Sequence, residues 1–339
     1  MTLAQHLTVA ARVAEAQAHW NARRESLEVE QTFRESLGVE KMFLPGLHSE
    51  LRAMPNPVAR SSIFAPVARG RKIYHDQIVL VSRSDATITY TGHQLDEGQA
   101  DAWMQLIYEA KDAPLGQSVV IHRAAFLRAI GRTTSGRDYA WLKLTMIRFT
   151  AATIVIETRK PDGARKYLVG DINAFHMLSD FNYDGDSETY TFTLDPRWKK
   201  LFGGREYALI DWDMRLKISQ GQDMAKALQR LVATSADQVQ RYALDWLKEK
   251  MLYTSPVRKF RKSLTAAMHE LEVVGVIAGS RIERSTKGRE QAAWTKLPRD
   301  SWSGGTRNWS PAGAVTLNPE RDSVVKLHLA QNDIQPLAA

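Results

Sequence analysis

The clearest pattern of hydrophobic and polar positions in this 339-residue chain lies between residues 255 and 274. Ser255 and Pro256 are residue types that begin helices, with Ser placed to cap free backbone N–H groups. Apolar residues then recur every three or four positions, which predicts a helix with one buried face. The side chains expected on that buried face are Phe260, Leu264, Ala267, Met268, Leu271 and Val274.

The opposite face of this predicted helix is basic. Four cations fall in the first two turns, where the helix macrodipole disfavours positive charge. They are therefore a poor choice for helix stability, whereas a positive helix N-terminus is well suited to bind phosphate. The residues predicted to contact DNA are Arg258, Lys259, Arg261, Lys262 and Thr265, with His269 on the same face.

The neighbouring segments complete a winged helix-turn-helix. Residues 235–250 carry apolar side chains at helical spacing and are predicted to form the preceding helix. Two short strands, 276–282 and 292–297, follow the basic helix and enclose a charged turn. We expect this turn to be a basic wing that contacts DNA through Arg284, Lys287 and Arg289.

The same order of elements is predicted earlier in the chain. Residues 122–130 and 137–149 have helical apolar spacing and are joined by a turn at 131–136. Strands then flank Lys160-Pro-Asp-Gly163, a strong turn signal that predicts a second basic wing. The DNA-binding residues predicted in this copy are Ser135, Arg137, Lys160 and Arg165.

These patterns predict an α+β protein built from two tandem winged helix-turn-helix domains. Residues 51–205 are expected to form the first winged-helix domain and residues 206–298 the second. Residues 1–50 lack a continuous apolar stripe and are expected to form an N-terminal helical or flexible arm. Residues 299–339 are rich in Ser, Gly and Pro without apolar periodicity, which predicts a loop-rich C-terminal tail.

Composition and charge narrow the function. The formal net charge of +8 and the sequence pI near 9.5 favour a polyanionic partner, here double-stranded DNA. The absence of cysteine excludes disulfides, thiol catalysis and thiolate metal sites. No apolar run reaches membrane-spanning length, and the N-terminus lacks the apolar core of a signal peptide. We therefore expect a cytoplasmic protein with no membrane partner.

Motifs for enzymatic chemistry are absent. The sequence has no Gly-x-x-x-x-Gly-Lys-Ser/Thr loop, no His-x-His motif with a downstream Tyr, and no histidine pair at metal-ligand spacing. Residues 180–188 match the first half of a calcium loop, but Thr191 stands where the bidentate Glu should be, so an acidic hairpin turn is expected. Asp211 and Asp213 could hold a metal, although a solvated strand edge is the commoner explanation. We expect no enzyme activity, no cofactor and no bound metal.

Short motifs across roughly residues 50–297 resemble a known family. In the first half they include Arg52-Ala-Met-Pro-Asn56, Ile88-Thr-Tyr-Thr-Gly92, Pro114-Leu-Gly116 and the residues around Gly136 and Arg137. In the second half they include Ser255, Arg258, Lys259, Glu270-Leu271 and Gly275. These motifs resemble the TrfA-type plasmid replication initiators, a group of iteron-binding proteins with tandem winged-helix domains.

The resemblance implies a mechanism. Such initiators bind direct repeats, called iterons, in a plasmid origin and help to melt an adjacent A+T-rich segment. It further implies recruitment of the host initiator DnaA, the replicative helicase and the sliding clamp, and a monomer–dimer equilibrium in which monomers bind the origin. A transcriptional regulator with the same modules and no melting role stays open as the alternative, because fold alone does not decide function.

Overall fold

The computed structural model describes residues 44, 48–67, 73–159, 165–169, 175–203 and 206–298. The predicted C-terminal tail and nearly all of the predicted N-terminal arm lie outside the described residues. Contacts divide the chain into two units, Met1–Leu297 and Pro298–Ala339, and the elements below belong to the first. In the described part, no helix is both long enough and apolar enough to cross a membrane.

Helices and strands alternate irregularly along the described residues, which makes this a mixed α/β protein. The strands are β1 (Leu51–Pro55), β2 (Tyr74–Leu80), β3 (Ala86–His93), β4 (Ser118–His122), β5 (Thr153–Arg159), β6 (Arg165–Val169), β7 (Leu178–Asp184), β8 (Thr189–Leu194), β9 (Tyr207–Asp211), β10 (Val239–Ala243), β11 (Ile277–Arg284) and β12 (Glu290–Lys296). The α-helices are α1 (Asn56–Arg60), α2 (Glu97–Glu109), α3 (Arg123–Ala129), α4 (Gly136–Ala151), α5 (Lys199–Gly203), α6 (Trp212–Lys217), α7 (Asp223–Ala233), α8 (Leu244–Lys250) and α9 (Val257–Val273).

One order of elements occurs twice. The first repeat, residues 97–194, runs α2, β4, α3, α4 and ends on the hairpin β7–β8; the second repeat, residues 223–296, runs α7, β10, α8, α9 and ends on the hairpin β11–β12. In each repeat the strand between the first two helices pairs with the second hairpin strand, which gives the sheet orders β4-β8-β7 and β10-β12-β11. The chain thus has the same topology in both repeats, with one insertion in the first.

The core of the first repeat is aromatic and lies under α2 and α4. Asp96 caps α2 through a reciprocal capping box with Gln99, as its position before the helix predicts. Trp103 on α2 is fully buried, with its ring 5.9 Å from Phe149 of α4 and 5.1 Å from Trp198. This packing holds the outward face of α4 in a fixed orientation.

The predicted helix over residues 235–250 is wrong in its first half. Val239–Ala243 form β10, which pairs with β12 from Val239↔Thr295 to Ala243↔Gln291, and only Leu244–Lys250 are helical. Pairing with a distant strand therefore overrides the local helical spacing. The helix that opens the second repeat is α7, which is missing from the sequence-based prediction.

The hairpin predicted as the first basic wing belongs to a different sheet. β5 and β6 do pair, but the other edge of β5 pairs with β3, in a four-stranded sheet of order β2-β3-β5-β6. The hairpin that joins β4 is β7–β8, which contains the acidic turn at residues 184–189. The position predicted for the first wing is therefore wrong, whereas the acidic hairpin turn is confirmed.

A buried ion network connects the two repeats through their first helices. Glu97 and Asp101 of α2 face Arg215 of α6 together with Lys226 and Arg230 of α7. The side chains of Glu97, Arg215 and Arg230 are fully buried. Burial alone would lower the pKa of Arg215, but Asp101 and Glu97 outweigh it and raise that pKa above its ordinary value. The network therefore keeps Arg215 positively charged although its side chain is fully buried.

Backbone pairing also joins the two halves of the chain. β1 pairs with β9 in antiparallel register from Leu51↔Asp211 to Pro55↔Tyr207, and every residue of β1 is buried. A boundary at residue 205 would therefore separate two paired strands. The two repeats form parts of one structure and not two separable pieces.

Candidate nucleic-acid interface

Helix α9 presents one apolar and one basic face, as its sequence predicts. The apolar face packs on α7 and β11. Val274, expected to be buried, instead forms the C-cap of the helix and is half-buried, because the chain leaves the helical path there. The buried side chains are Phe260, Leu264, Ala267, Met268 and Leu271.

The N-terminus of α9 has no side-chain cap. Pro256 occupies the N-cap position, so the prediction that Ser255 caps this helix is wrong. The carbonyl of Pro256 accepts hydrogen bonds from the backbone N–H groups of Lys259 and Phe260, at 2.9 and 3.1 Å. An uncapped first turn leaves the positive end of the helix dipole open to an anion.

The basic face of α9 is exposed beside this uncapped end. Arg258, Lys259, Lys262 and Thr265 are all exposed. Within the described residues, the three cations among them form no ion pair, whereas Arg261 donates to both carboxylate oxygens of Glu290, each at 2.6 Å. Arg261 therefore ties α9 to β12, while the other cations are free to bind phosphate.

The hairpin β11–β12 adds further positive charge. Its turn is closed by backbone hydrogen bonds between Ser285 and Arg289 and between Gly288 and Ser285, with Gly288 in the left-handed region at φ 74°. Glu283 accepts hydrogen bonds from Gln291, Arg241 and Arg281, and these partners lower its pKa. The exposed cations at and beside the hairpin turn are Arg284, Lys287 and Arg289, the residues predicted for a basic wing, whereas the exposed Arg281 of β11 pairs with Glu283.

In the first repeat, the turn before α4 is held by a hydrogen-bonded aspartate. Ser135 caps α4, accepting from the backbone N–H of Asp138 at 3.2 Å and donating its hydroxyl to that carboxylate at 3.0 Å. Thr133 also donates to Asp138, and this bond is the main cause of its lowered pKa. The guanidinium of Arg132 pairs with Asp138 and lies 3.5 Å from the ring centre of Trp141. Ser135 is therefore a structural cap.

The remaining predicted contacts of the first repeat are only partly brought together. Arg137 is exposed at the start of α4. Lys160 lies outside the described residues, and Arg165 is described only by its backbone in β6, which belongs to the four-stranded sheet. Sequence reasoning missed Lys143, which is exposed on α4 next to the buried Leu142.

The hairpin of the first repeat has the opposite charge to that of the second. Residues 178–194 contain Asp180, Asp184, Asp186 and Glu188 and no Lys or Arg. Asp184 accepts hydrogen bonds from the backbone N–H of Asp186 and from the Ser187 hydroxyl. Phosphate would be repelled here, so the two hairpins cannot bind DNA backbone in the same way.

Sites for other chemistry do not assemble in the described residues. No group of His, Asp and Glu there could hold a metal ion. Asp211, considered with Asp213 as a metal pair, caps α6 by accepting from the backbone N–H of Met214 at 3.0 Å. The basic surface of α9 and β11–β12 is the candidate site that the described chain offers.

Similar proteins were found by sequence and by structure. The plasmid replication initiator protein TrfA of Escherichia coli is 24% identical over 238 residues, covering 67% of this chain, which spans 58% of the length of that relative. Crystal structures of RctB domains 2 and 3 share 10% identity (71% of this chain, 97% of that chain, TM-score 0.42) and 11% identity (75% and 94%, TM-score 0.40). The WH1 domain of MSBI1.176, a replication protein isolated from a multiple sclerosis patient, shares 15% identity (32% and 81%, TM-score 0.23). The profile of the TrfA protein family matches residues 21–291, most of the sequence, and the chain therefore belongs to the TrfA protein family.

Proposed function

We propose that this chain is a plasmid replication initiator that binds double-stranded direct repeats at an origin and promotes origin opening and helicase recruitment. The observation that carries the proposal is the uncapped N-terminus of α9, surrounded by exposed cations without ion-pair partners in the described chain. Membership of the TrfA protein family supports it, since the curated relative is itself a plasmid replication initiator.

In this proposal the two repeats are tandem winged-helix modules, and α4 and α9 are their recognition helices. Residues 51–205 contain the first module and residues 206–298 the second, each with flanking elements that include the paired strands β1 and β9. One module alone buries only about 600–1,000 Å² on DNA, which is modest for specific binding. Because β1–β9 pairing and the ion network join the modules, binding of one makes binding of the other effectively intramolecular.

The exposed residues of α9 divide into two roles. Lys259 and Lys262 neutralise phosphates, because an ammonium carries charge without base information. The guanidinium of Arg258 donates two hydrogen bonds to the edge of a guanine in the major groove, which is the commonest specific contact of a recognition helix. The hairpin cations bind phosphate beside the groove and hold the register.

A binding titration over a range of salt concentrations tests these roles. Lys262→Ala should flatten the slope of log K against log salt by about 0.9, the value for one lost phosphate contact. Arg258→Ala should cost ~1–3 kcal/mol and relax preference at one base position. Lys199→Ala, which removes an exposed lysine of α5, is the matched control and should leave both quantities unchanged.

Unfolding measured on the same variants separates folding from binding, since exposed substitutions usually change stability by only about 0.5 kcal/mol. If Arg258→Ala, Lys259→Ala and Lys262→Ala all kept wild-type affinity and wild-type salt dependence, α9 would not contact the DNA. Permanganate footprinting of the origin tests the second half of the proposal. If the chain bound the duplex and no thymine became reactive to permanganate, the proposal of DNA binding would stand and that of origin opening would be refuted.

A further inference from the structure

The outward faces of α4 and α9 can be compared position by position, because the two helices bury side chains at the same spacing. In α4 these are Asp138, Leu142, Thr145, Met146 and Phe149, and in α9 they are Phe260, Leu264, Ala267, Met268 and Leu271. A constant shift in numbering superimposes the two patterns. The exposed residues that correspond are therefore fixed by packing.

At corresponding positions the two helices expose different chemistry. Ala140, Leu144 and Ile147 of α4 stand where α9 has Lys262, Ala266 and His269, and all six are exposed. Leu144 and Ile147 are each 45% exposed, one helical turn apart. The outward face of α4 is thus an apolar stripe, whereas α9 has the polar Lys262 and His269 and the small Ala266 at the same positions.

The surroundings of this stripe indicate what covers it. Arg137 and Lys143 are exposed on either flank of this stripe, so we expect a partner that combines negative charge with apolar groups. The major groove of DNA has both, since phosphates line it and each thymine exposes a C5-methyl group. The acidic hairpin β7–β8 is repelled by phosphate, so in this repeat α4 must make the contacts with DNA.

We propose that Leu144 and Ile147 contact thymine C5-methyl groups in the major groove, so that the first repeat selects A·T base pairs while α9 selects through its polar side chains. This inference rests on the proposed function and assigns a base class to one half of its site. Apolar contact with the thymine methyl is a recognised mode of direct readout.

The experiment uses the full chain and a duplex selected by it from random sequences of roughly 20–30 base pairs. Each thymine of the selected duplex is replaced in turn by deoxyuridine, which lacks only the methyl group. The wild-type chain should lose affinity about fourfold at each contacted methyl, and only within one half of the site. Leu144→Ala should bind the unsubstituted duplex more weakly and lose sensitivity to deoxyuridine at one position, and Ile147→Ala at another.

Val273→Ala is the matched control, because it truncates an exposed apolar side chain of α9, 71% exposed at the far end of that helix. It should keep the full wild-type pattern of deoxyuridine sensitivity. The inference is overturned if no thymine is sensitive in the wild type, if both α4 variants keep wild-type sensitivity, or if these variants only change self-association of the DNA-free chain. Failure to select any preferred duplex would instead refute the proposed function.

Discussion

Removal of the buried carboxylate Glu97 tests how strongly the two repeats are joined. Glu97 accepts from Arg215 at 3.0 Å and from Nε of Arg230 at 3.2 Å, and all three side chains are fully buried. In Glu97→Ala, Arg215 keeps Asp101, whereas Arg230 loses its carboxylate and keeps, within the described residues, the carbonyl and ring of Phe64 and a contact with the Met54 sulfur. A buried ion left without its partner destabilises by ~3–5 kcal/mol, so we expect a loss of that size.

Equilibrium unfolding in urea measures this loss. With a slope near the upper end of about 1–3 kcal/mol per M, the midpoint should fall by about 1–2 M. Glu290→Gln is the matched control, since it removes a carboxylate from an arginine pair at the surface, where such pairs contribute about 0–1 kcal/mol. If the midpoint of Glu97→Ala fell no further than that of this control, the reasoning that buried, desolvated ion pairs hold the two repeats together would be refuted.

Three further predictions concern packing, pH and charge. Leu264→Ala should cost ~2–5 kcal/mol in thermal or urea unfolding, because the side chain is fully buried, and an unchanged stability would contradict the assigned face of α9. Burial lowers the pKa of Lys250 from 10.5 to about 7, so the unfolded chain holds a proton that the folded chain has lost between these values. The free energy of unfolding should therefore rise with pH from 7 towards 10.5, and Lys250→Met should remove this part of the rise; an equal rise in the variant would refute the assignment. Neutralising the hairpin β11–β12 should lower affinity for selected and random duplexes about equally, and a changed base preference would contradict a phosphate role for its cations, which are Arg284, Lys287 and Arg289.

Local periodicity was a good guide where one helix carries its own core contacts. The apolar spacing of α9 predicts its buried face, because a helix that packs along its whole length repeats its contacts every turn. The same criterion failed for Val239–Ala243, where pairing with β12 decides the conformation. Helical spacing therefore predicts which face of a helix is buried, but it does not predict strands that form by pairing with distant segments.

Partner choice between strands was the second limit. The Pro-Asp-Gly turn predicts a hairpin at β5–β6, and the acidic segment predicts another turn, yet nothing local shows that β4 pairs with β8. The sequence likewise does not show which charged residues are buried, because their partners are distant along the chain. Glu97 and Arg230 lie far apart in the sequence, so charge composition alone assigns both to the surface.

The pairing of β1 with β9 has a consequence for biosynthesis. Leu51–Pro55 leave the ribosome long before Tyr207–Asp211, the segment that completes their only described sheet. At roughly 5–20 residues per second the delay is about 8–30 s. During that time the β1 segment, which contains Leu51, Ala53 and Met54 together with Arg52 and Pro55, has no partner strand from this sheet, and unpaired strand edges are sites of aggregation. The N-terminal half of the chain therefore cannot complete this sheet during translation until residues 207–211 have been synthesised.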